Sequence, residues 1–252
     1  MMKWTATLIL AFYACSCSPN QADPVQAKAS AEGSQLIELF TSQGCSSCPP
    51  AETWIGQLTT HQDLWNRFVP IVFHVDYWDR LGWKDPFASQ QHTKRQYQYR
   101  AYHQLSSVYT PGFFVDGNEW KGFFQREPLP PVRKTNTSLA ATWNAGKVSV
   151  NTSGLEESHV IHAAVLGFDL KTSVKRGENS GRKLPGNFVV LSHKTINRSS
   201  ETNELSQIEF QPTDLAAKAP RYGFAVWISS SDSPLPLGAT GNWLPKALFQ
   251  SE

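Results

Sequence analysis

Apolar positions follow two different rhythms along this chain, and the change falls near residue 127. In the first stretch, Gln35 to Phe40 (QLIELF) is a short apolar run of buried-strand length, and Ala51 to Leu64 (AETWIGQLTTHQDL) spaces Trp54, Leu58 and Leu64 as a helix does. Val69 to His74 (VPIVFH) predicts a second buried strand. Asp85-Pro86 has the form of an N-cap and first-turn pair, opening a helix to about Leu105 with a weak apolar stripe and much Gln, Arg and Tyr. Phe113 to Val115 predicts a third strand. This strand, helix, strand, helix, strand order predicts an α/β layer with parallel pairing over residues 35–126. Glu127 to Pro131 (EPLPP) breaks it, and 127–142 is expected to be a hinge with a short helix at Ser138 to Trp143. From Lys147 the runs KVSVN, VIHAAVLGFDL, NFVVLSH, QIEFQ and YGFAVWIS, parted by Gly, Ser and Asn, predict a smaller, mostly antiparallel β-sandwich-like domain over 143–250.

The first residues break both rhythms. Lys3 precedes Trp4 to Ala14 (WTATLILAFYA), an apolar run of secretory length and too short for a permanent membrane helix, so 1–14 is expected to be a signal peptide. The approach to Cys15 and Cys17 has the form of a lipoprotein processing site. Cys15, preceded by the small Ala14, is the expected lipidated residue, Cys17 the alternative, and an ordinary signal peptide the competing reading. Lipid at either would tether the chain to a membrane. Residues 15–34, polar and small with two prolines, are expected to be a flexible tether. A net charge of +2 without a dense Lys/Arg cluster argues against a nucleic-acid partner.

At the first strand-to-helix junction lies TSQGCSSCPPAE. Pro49 and Pro50 lack backbone N–H groups and are expected in the first helical turn, with Ser46 or Ser47 near the N-cap. Cys45 would then stand just before a helix N-terminus, where a thiolate is stabilised, and Cys48 one turn inside, able to resolve a mixed disulfide. Strand, CxxC and helix in this order point to redox chemistry. A structural bridge would close so small a loop that it stabilises little. A metal site would need ligands from elsewhere, of which His74 is nearest in the pattern, with His92 and His103 further off. Cu(I) on Cys45, Cys48 and His74 is the metal alternative; otherwise no cofactor beyond the disulfide is expected.

The segment VYTPGFFVDG, residues 108 to 117, resembles the cis-proline segment of thioredoxin-like proteins, which in that fold faces the CxxC. Together, LFTSQGCSSCPPAE, FHVDYWDRLGWKDPFA, VYTPGFFVDG, KRGENSGRKL and LGATGNWL resemble the exported, thioredoxin-like domain-of-unknown-function family 1223, over nearly all of the chain after the tether. The resemblance implies a thioredoxin-like α/β N-terminal domain and thiol-disulfide chemistry on protein or peptide disulfides in a bacterial periplasm or envelope. It also implies a cis Thr110–Pro111 bond, with Thr110 and Pro111 shaping a substrate groove opposite Cys45 and Cys48. Thioredoxins carry a buried carboxylate on the strand before the CxxC; Glu38, one residue off that spacing, is the nearest counterpart for proton transfer, with an interdomain or surface residue as the competing reading. Past the second strand, Asp76 and Trp78 are candidates for the groove, and His74 for moving protons; Trp78 and Trp83 as loop anchors is the competing reading. RGENSGR, residues 176 to 182, is either a solvated turn or a charged hairpin reaching towards the thiols. A non-catalytic envelope interaction protein with a redox-sensing CxxC remains the other functional class.

Overall fold

The structure, a computed structural model, describes residues 23–135, 137–155, 158–199, 205–215 and 218–249. The leader 1–14 and the lipidation candidates Cys15 and Cys17 lie outside the described residues. No helix among the described residues is long and apolar enough to cross a membrane.

In the first half the strands are β1 (Val25–Lys28), β2 (Gln35–Thr41), β3 (Phe68–His74), β4 (Gly112–Val115) and β5 (Asn118–Glu119), with helices α1 (Pro49–Gly56), α2 (Gln90–Tyr102) and α3 (Gly122–Gln125). The second half is stranded throughout: β6 (Ser138–Asn144), β7 (Lys147–Ser153), β8 (His159–Phe168), β9 (Leu170–Ser173), β10 (Lys183–Gly186), β11 (Val189–Arg198), β12 (Ser206–Glu209), β13 (Arg221–Ser230) and β14 (Pro236–Leu244). An eight-stranded sheet in the order β14-β13-β8-β11-β3-β2-β4-β5 runs through both halves. A four-stranded sheet, β1-β6-β7-β12, lies on one face of its second half, and β9 and β10 form a separate ribbon.

β2 and β3 pair in parallel over their whole length, and every residue of both is buried. Continuous apolar runs such as QLIELFT suit strands covered on two faces. β4 runs antiparallel to β2, and Asp116-Gly117, both at positive φ, turns it into β5, as a two-residue hairpin loop requires. Along β13 the pleat divides the side chains. Phe224, Val226 and Ile228 enter the core shared with Leu139, Ala141 and Trp143 of β6, whereas Ala225 and Trp227 enter the core built on β2 and β3.

Four expectations are corrected. The halves are not separate domains divided at 127–142, because β11 lies beside β3, with the Val72 amide donating to the Phe188 carbonyl at 2.9 Å. Trp65 strengthens that seam: its ring packs on Phe168, Phe188 and Trp243, and a Cβ at Gly241 would come within 2.5 Å of it. Residues 138–144 form β6 rather than a short helix, because Leu139, Ala141 and Trp143 alternate inward. Part of the expected 15–34 tether is β1, which pairs antiparallel with β6 from Val25↔Trp143 to Lys28↔Ala140. The second helix begins at Gln90 with Ser89 as N-cap, its side chain accepting from the Gln91 amide, rather than at Asp85-Pro86. The Asp85 carboxylate is committed elsewhere, as described next.

Candidate functional site

Cys45 and Cys48 are joined in a disulfide at the start of α1. Cys48 is itself the N-cap, with Pro49 and Pro50 in the first turn, so it does not lie one turn inside and neither serine caps the helix. Two successive prolines explain this. Neither has an N–H to offer, so no side-chain cap is needed for those positions, and Ser46 and Ser47 are left exposed. Both cysteines are 0% exposed.

Three segments and a buried side-chain cluster hold the turn that carries them. From the first half come the β4 approach and the aromatic segment after β3. Thr110–Pro111 is a cis bond, and the Thr110 carbonyl oxygen lies 3.8 Å from Cys45 Sγ. Trp78 Nε1–H donates to Thr110 Oγ1 at 2.8 Å, and a Cβ on Gly44 would meet Trp78 Cβ at 3.1 Å. Trp78 thus tethers the proline segment and lies against the turn before Cys45. Trp83 Nε1–H donates to Gln43 Oε1 at 3.2 Å. The third segment is residues 176–182, which does reach the cysteines: Asn179 Nδ2 donates to the carbonyls of Gln43 and Cys45 at 2.9 and 2.8 Å, and the Ser46 amide donates to Glu178 Oε2 at 3.0 Å. The Ser47 hydroxyl lies 3.4 Å from Cys45 Sγ.

The fourth support is a buried charged group of three residues. Asp85 Oδ2 accepts from the Gln43 amide at 2.8 Å and lies 2.7 Å from His74 Nδ1, and Asp85 Oδ1 accepts from the Phe87 amide at 2.9 Å. Glu52, one turn into α1 from Cys48, accepts from Thr41 Oγ1 at 2.7 Å. Burial opposes a cation at His74, but Asp85 and then Glu52 outweigh it and hold the imidazole above its ordinary value. Burial also opposes charge at Asp85, yet His74 and the two amides keep that carboxyl low. At Glu52 burial prevails over His74 and Thr41 and pushes the carboxyl up. His74 Nε2 is buried without a hydrogen-bond partner. On α2, His92 is depressed to about 4 by burial, stays neutral, and bonds the His74 carbonyl through Nδ1 at 3.0 Å.

A carboxyl whose folded pKa is raised favours the protonated state, so its contribution to stability falls as pH rises from the unfolded value through the folded one. Glu52→Gln keeps the acceptor for Thr41 and removes this loss. Its stability relative to the parent should therefore rise between about pH 5 and about pH 8, read from urea midpoints at each. His74 and Asp85 are the charged groups facing Glu52.

Two candidates fall outside the site. Glu38 is fully buried in β2, but its carboxylate takes Arg95 Nε at 2.5 Å and the Tyr99 hydroxyl, with no hydrogen bond to the turn that carries the cysteines. It balances a buried guanidinium and is corrected from proton transfer to structure. Asp76 accepts from Thr93 Oγ1 at 2.5 Å and is tied to α2 rather than to a groove. Sequence reasoning missed Glu52 and Asp85. An acid one turn after Cys48, and another just before a proline, are ordinary helix-start features, and nothing local signals that both turn inward. Among the described residues no group of three or more His, Cys, Asp or Glu is gathered as metal ligands. His74 Nδ1 faces Asp85, so only Nε2 is open to a ligand.

Residues 36–229 match the model of a family described as "Protein of unknown function (DUF1223)". No curated protein matches the chain. Among solved structures, a structural-genomics crystal structure of a protein from Agrobacterium tumefaciens aligns with a TM-score of 0.61 at 23% identity, covering 83% of this chain and 94% of that one, and shares its fold. HBP35 of Porphyromonas gingivalis aligns with a TM-score of 0.46 at 14% identity, over 86% of this chain and 77% of that one.

Proposed function

We propose, of a chain that belongs to the DUF1223 family of proteins of unknown function, that it is an exported, membrane-tethered thiol-disulfide oxidoreductase acting on protein or peptide disulfides. The observation that carries this reading is the placement of the Cys45–Cys48 disulfide, at the start of a helix and beside the Thr110 carbonyl, above a buried Glu52, His74 and Asp85. A bridge over two intervening residues contributes little to stability. Three separate segments and a buried side-chain cluster nevertheless converge on the turn that holds it, which suits a site whose geometry matters to chemistry. The parallel β2–β3 pair, the helix after the CxxC and the antiparallel β4 after Pro111 support a thioredoxin-like reading of the first half.

In the reducing direction a thiolate attacks Cys45 Sγ, the S–S bond breaks, and Cys48 Sγ leaves with the electron pair. A second thiolate then attacks the substrate sulfur of the mixed disulfide and releases Cys45. The dithiol runs the same steps backwards on a substrate disulfide. Thr110 and Pro111 form the groove wall, with extended backbone at which a substrate segment pairs by strand addition, and Trp78 braces that wall. Glu52 and His74 set the field in which Cys48 gains and loses its proton. Lipid on Cys15, or alternatively on Cys17, would hold the site at a membrane surface.

The test is insulin reduction and the refolding of a scrambled disulfide protein, with parent and Cys45→Ser side by side. The parent is expected to accelerate both and the variant to match the uncatalysed rate; equal rates for the two proteins would refute the reading.

A further inference from the structure

The segment Arg176–Arg182 belongs to the second half of the chain, between β9 and β10, yet it closes over the CxxC. Its two contact residues differ in kind. Asn179 is fully buried, and its amide group is spent: Nδ2 donates to the Gln43 and Cys45 carbonyls, and Oδ1 accepts from Arg182 Nη1 at 2.7 Å. That is a fixed pin. Glu178, one residue earlier, is exposed and engages one residue here, Ser46, next to Cys45: it accepts the Ser46 amide at 3.0 Å and is also hydrogen-bonded by the Ser46 side chain. A solvated carboxylate held only by a single exposed residue is readily displaced. Both cysteines are fully shielded in the folded chain, so a thiol must move something to reach Cys45.

We infer that Glu178 is an anionic latch on the disulfide, released when a substrate displaces it from the Ser46 amide, and that it weights the site against negatively charged thiols. The inference rests on the thiol-exchange reading above. Two species are disfavoured while the carboxylate is in place: the incoming anionic thiolate and the Cys45 thiolate produced at the end of reduction. When Glu178 leaves, the Ser46 N–H is free to stabilise sulfur charge or a substrate carbonyl. Asn179 meanwhile keeps the Gln43–Cys45 backbone in place. The exchange chemistry is unchanged: two thiols are oxidised to one disulfide as Cys45–Cys48 takes up two electrons and two protons. Lys175, Arg176, Arg182 and Lys183 of the same segment, with Asp79, Arg80, Lys84 and Asp85 of the facing one, set the overall preference for thiol charge. Glu178 sets how far that preference moves when it alone is neutralised.

The experiment follows reduction of the full chain by anionic mercaptoacetate and by cationic cysteamine, with alkylation and mass measurement of the pair. The proteins are the parent, Glu178→Gln and Glu178→Ala, each at low and at high salt. Glu178 is exposed, so both variants are expected to fold as the parent does. The rate ratio of anionic to cationic thiol should rise about threefold to tenfold in both variants at low salt, and most of that rise should vanish near 1 M salt, where charges are screened within about 3 Å. A parallel fall in the pH at which Cys45 is alkylated is expected in the reduced variants. A pair reduced in all three proteins with an unchanged ratio overturns the latch and leaves the redox reading standing. A pair that neither thiol reduces in any folded protein overturns both.

Discussion

On the proposed thiol-exchange reading, Cys48→Ser should act as a trap, accumulating a covalent complex between Cys45 and its substrate that the parent does not retain. Once Cys45 has formed a mixed disulfide, the resolving thiol is the residue three positions on, held at the N-cap of α1. A positioned intramolecular group acts at an effective concentration of 10⁵ M or more, so leaving resolution to millimolar external thiol should slow it by at least about a thousandfold. The substitution is mild for the fold. Serine is a favoured N-cap, and so small a disulfide loop adds little stability. The complex should dissolve on reduction and be absent from Cys45→Ser, as read by mass after non-reducing electrophoresis. If Cys48→Ser accumulates no more mixed disulfide than Cys45→Ser, Cys48 is not the resolving thiol.

The largest expected effect on stability lies away from the disulfide. Glu38→Ala removes the carboxylate that holds Arg95, itself buried among the rings of Phe73, Tyr99 and Trp227. Breaking one side of a buried pair leaves an uncompensated charge and costs about 3–5 kcal/mol. Glu38→Gln, which keeps an acceptor for Arg95 and Tyr99, should lose less. Urea denaturation gives both values. Exchange activity per folded molecule should stay near the parent's for either, because Glu38 bonds α2 and not the CxxC turn. A Glu38→Gln protein of parental stability but much lower activity would return Glu38 to the chemistry.

These two outcomes also mark what could be seen in the chain. The buried strands were legible where apolar runs were unbroken, as in QLIELF and YGFAVWIS, because burial on two faces leaves no polar alternation to misread. The CxxC and its prolines fixed the start of α1 to within a few residues, although not that Cys48 itself is the cap. Alternation in SLAATWN was visible, but a run so short next to a proline-rich hinge also fits a helix, and only pairing with β1 and β7 settles it. The join of the two halves was hidden because it rests on non-local contact between Phe188-Val189 and Val72, to which no local pattern corresponds. The site divides in the same way. Cys45 and Cys48 stand out by their spacing before two prolines, and Thr110-Pro111 by the resemblance of its segment to the cis-proline segment of thioredoxin-like proteins. Glu52, Asp85 and Asn179 acquire theirs from burial: an acid in a first turn, an Asp before Pro and an Asn between glycines are all common solvent-facing residues. Glu38, singled out by its strand, was claimed by an arginine on α2.

On the proposed reading, Cys45 and Cys48 form a working redox couple and not a structural bridge. The most direct measurement equilibrates the full chain against graded glutathione and dithiothreitol buffers, and counts free thiols at Cys45 and Cys48 by alkylation and mass. One reversible two-electron transition is expected, with the fold intact on both sides and a potential within the range of catalytic dithiols, roughly −270 to −120 mV. A pair that stays oxidised below about −300 mV, or is reduced only as the protein unfolds, would contradict it.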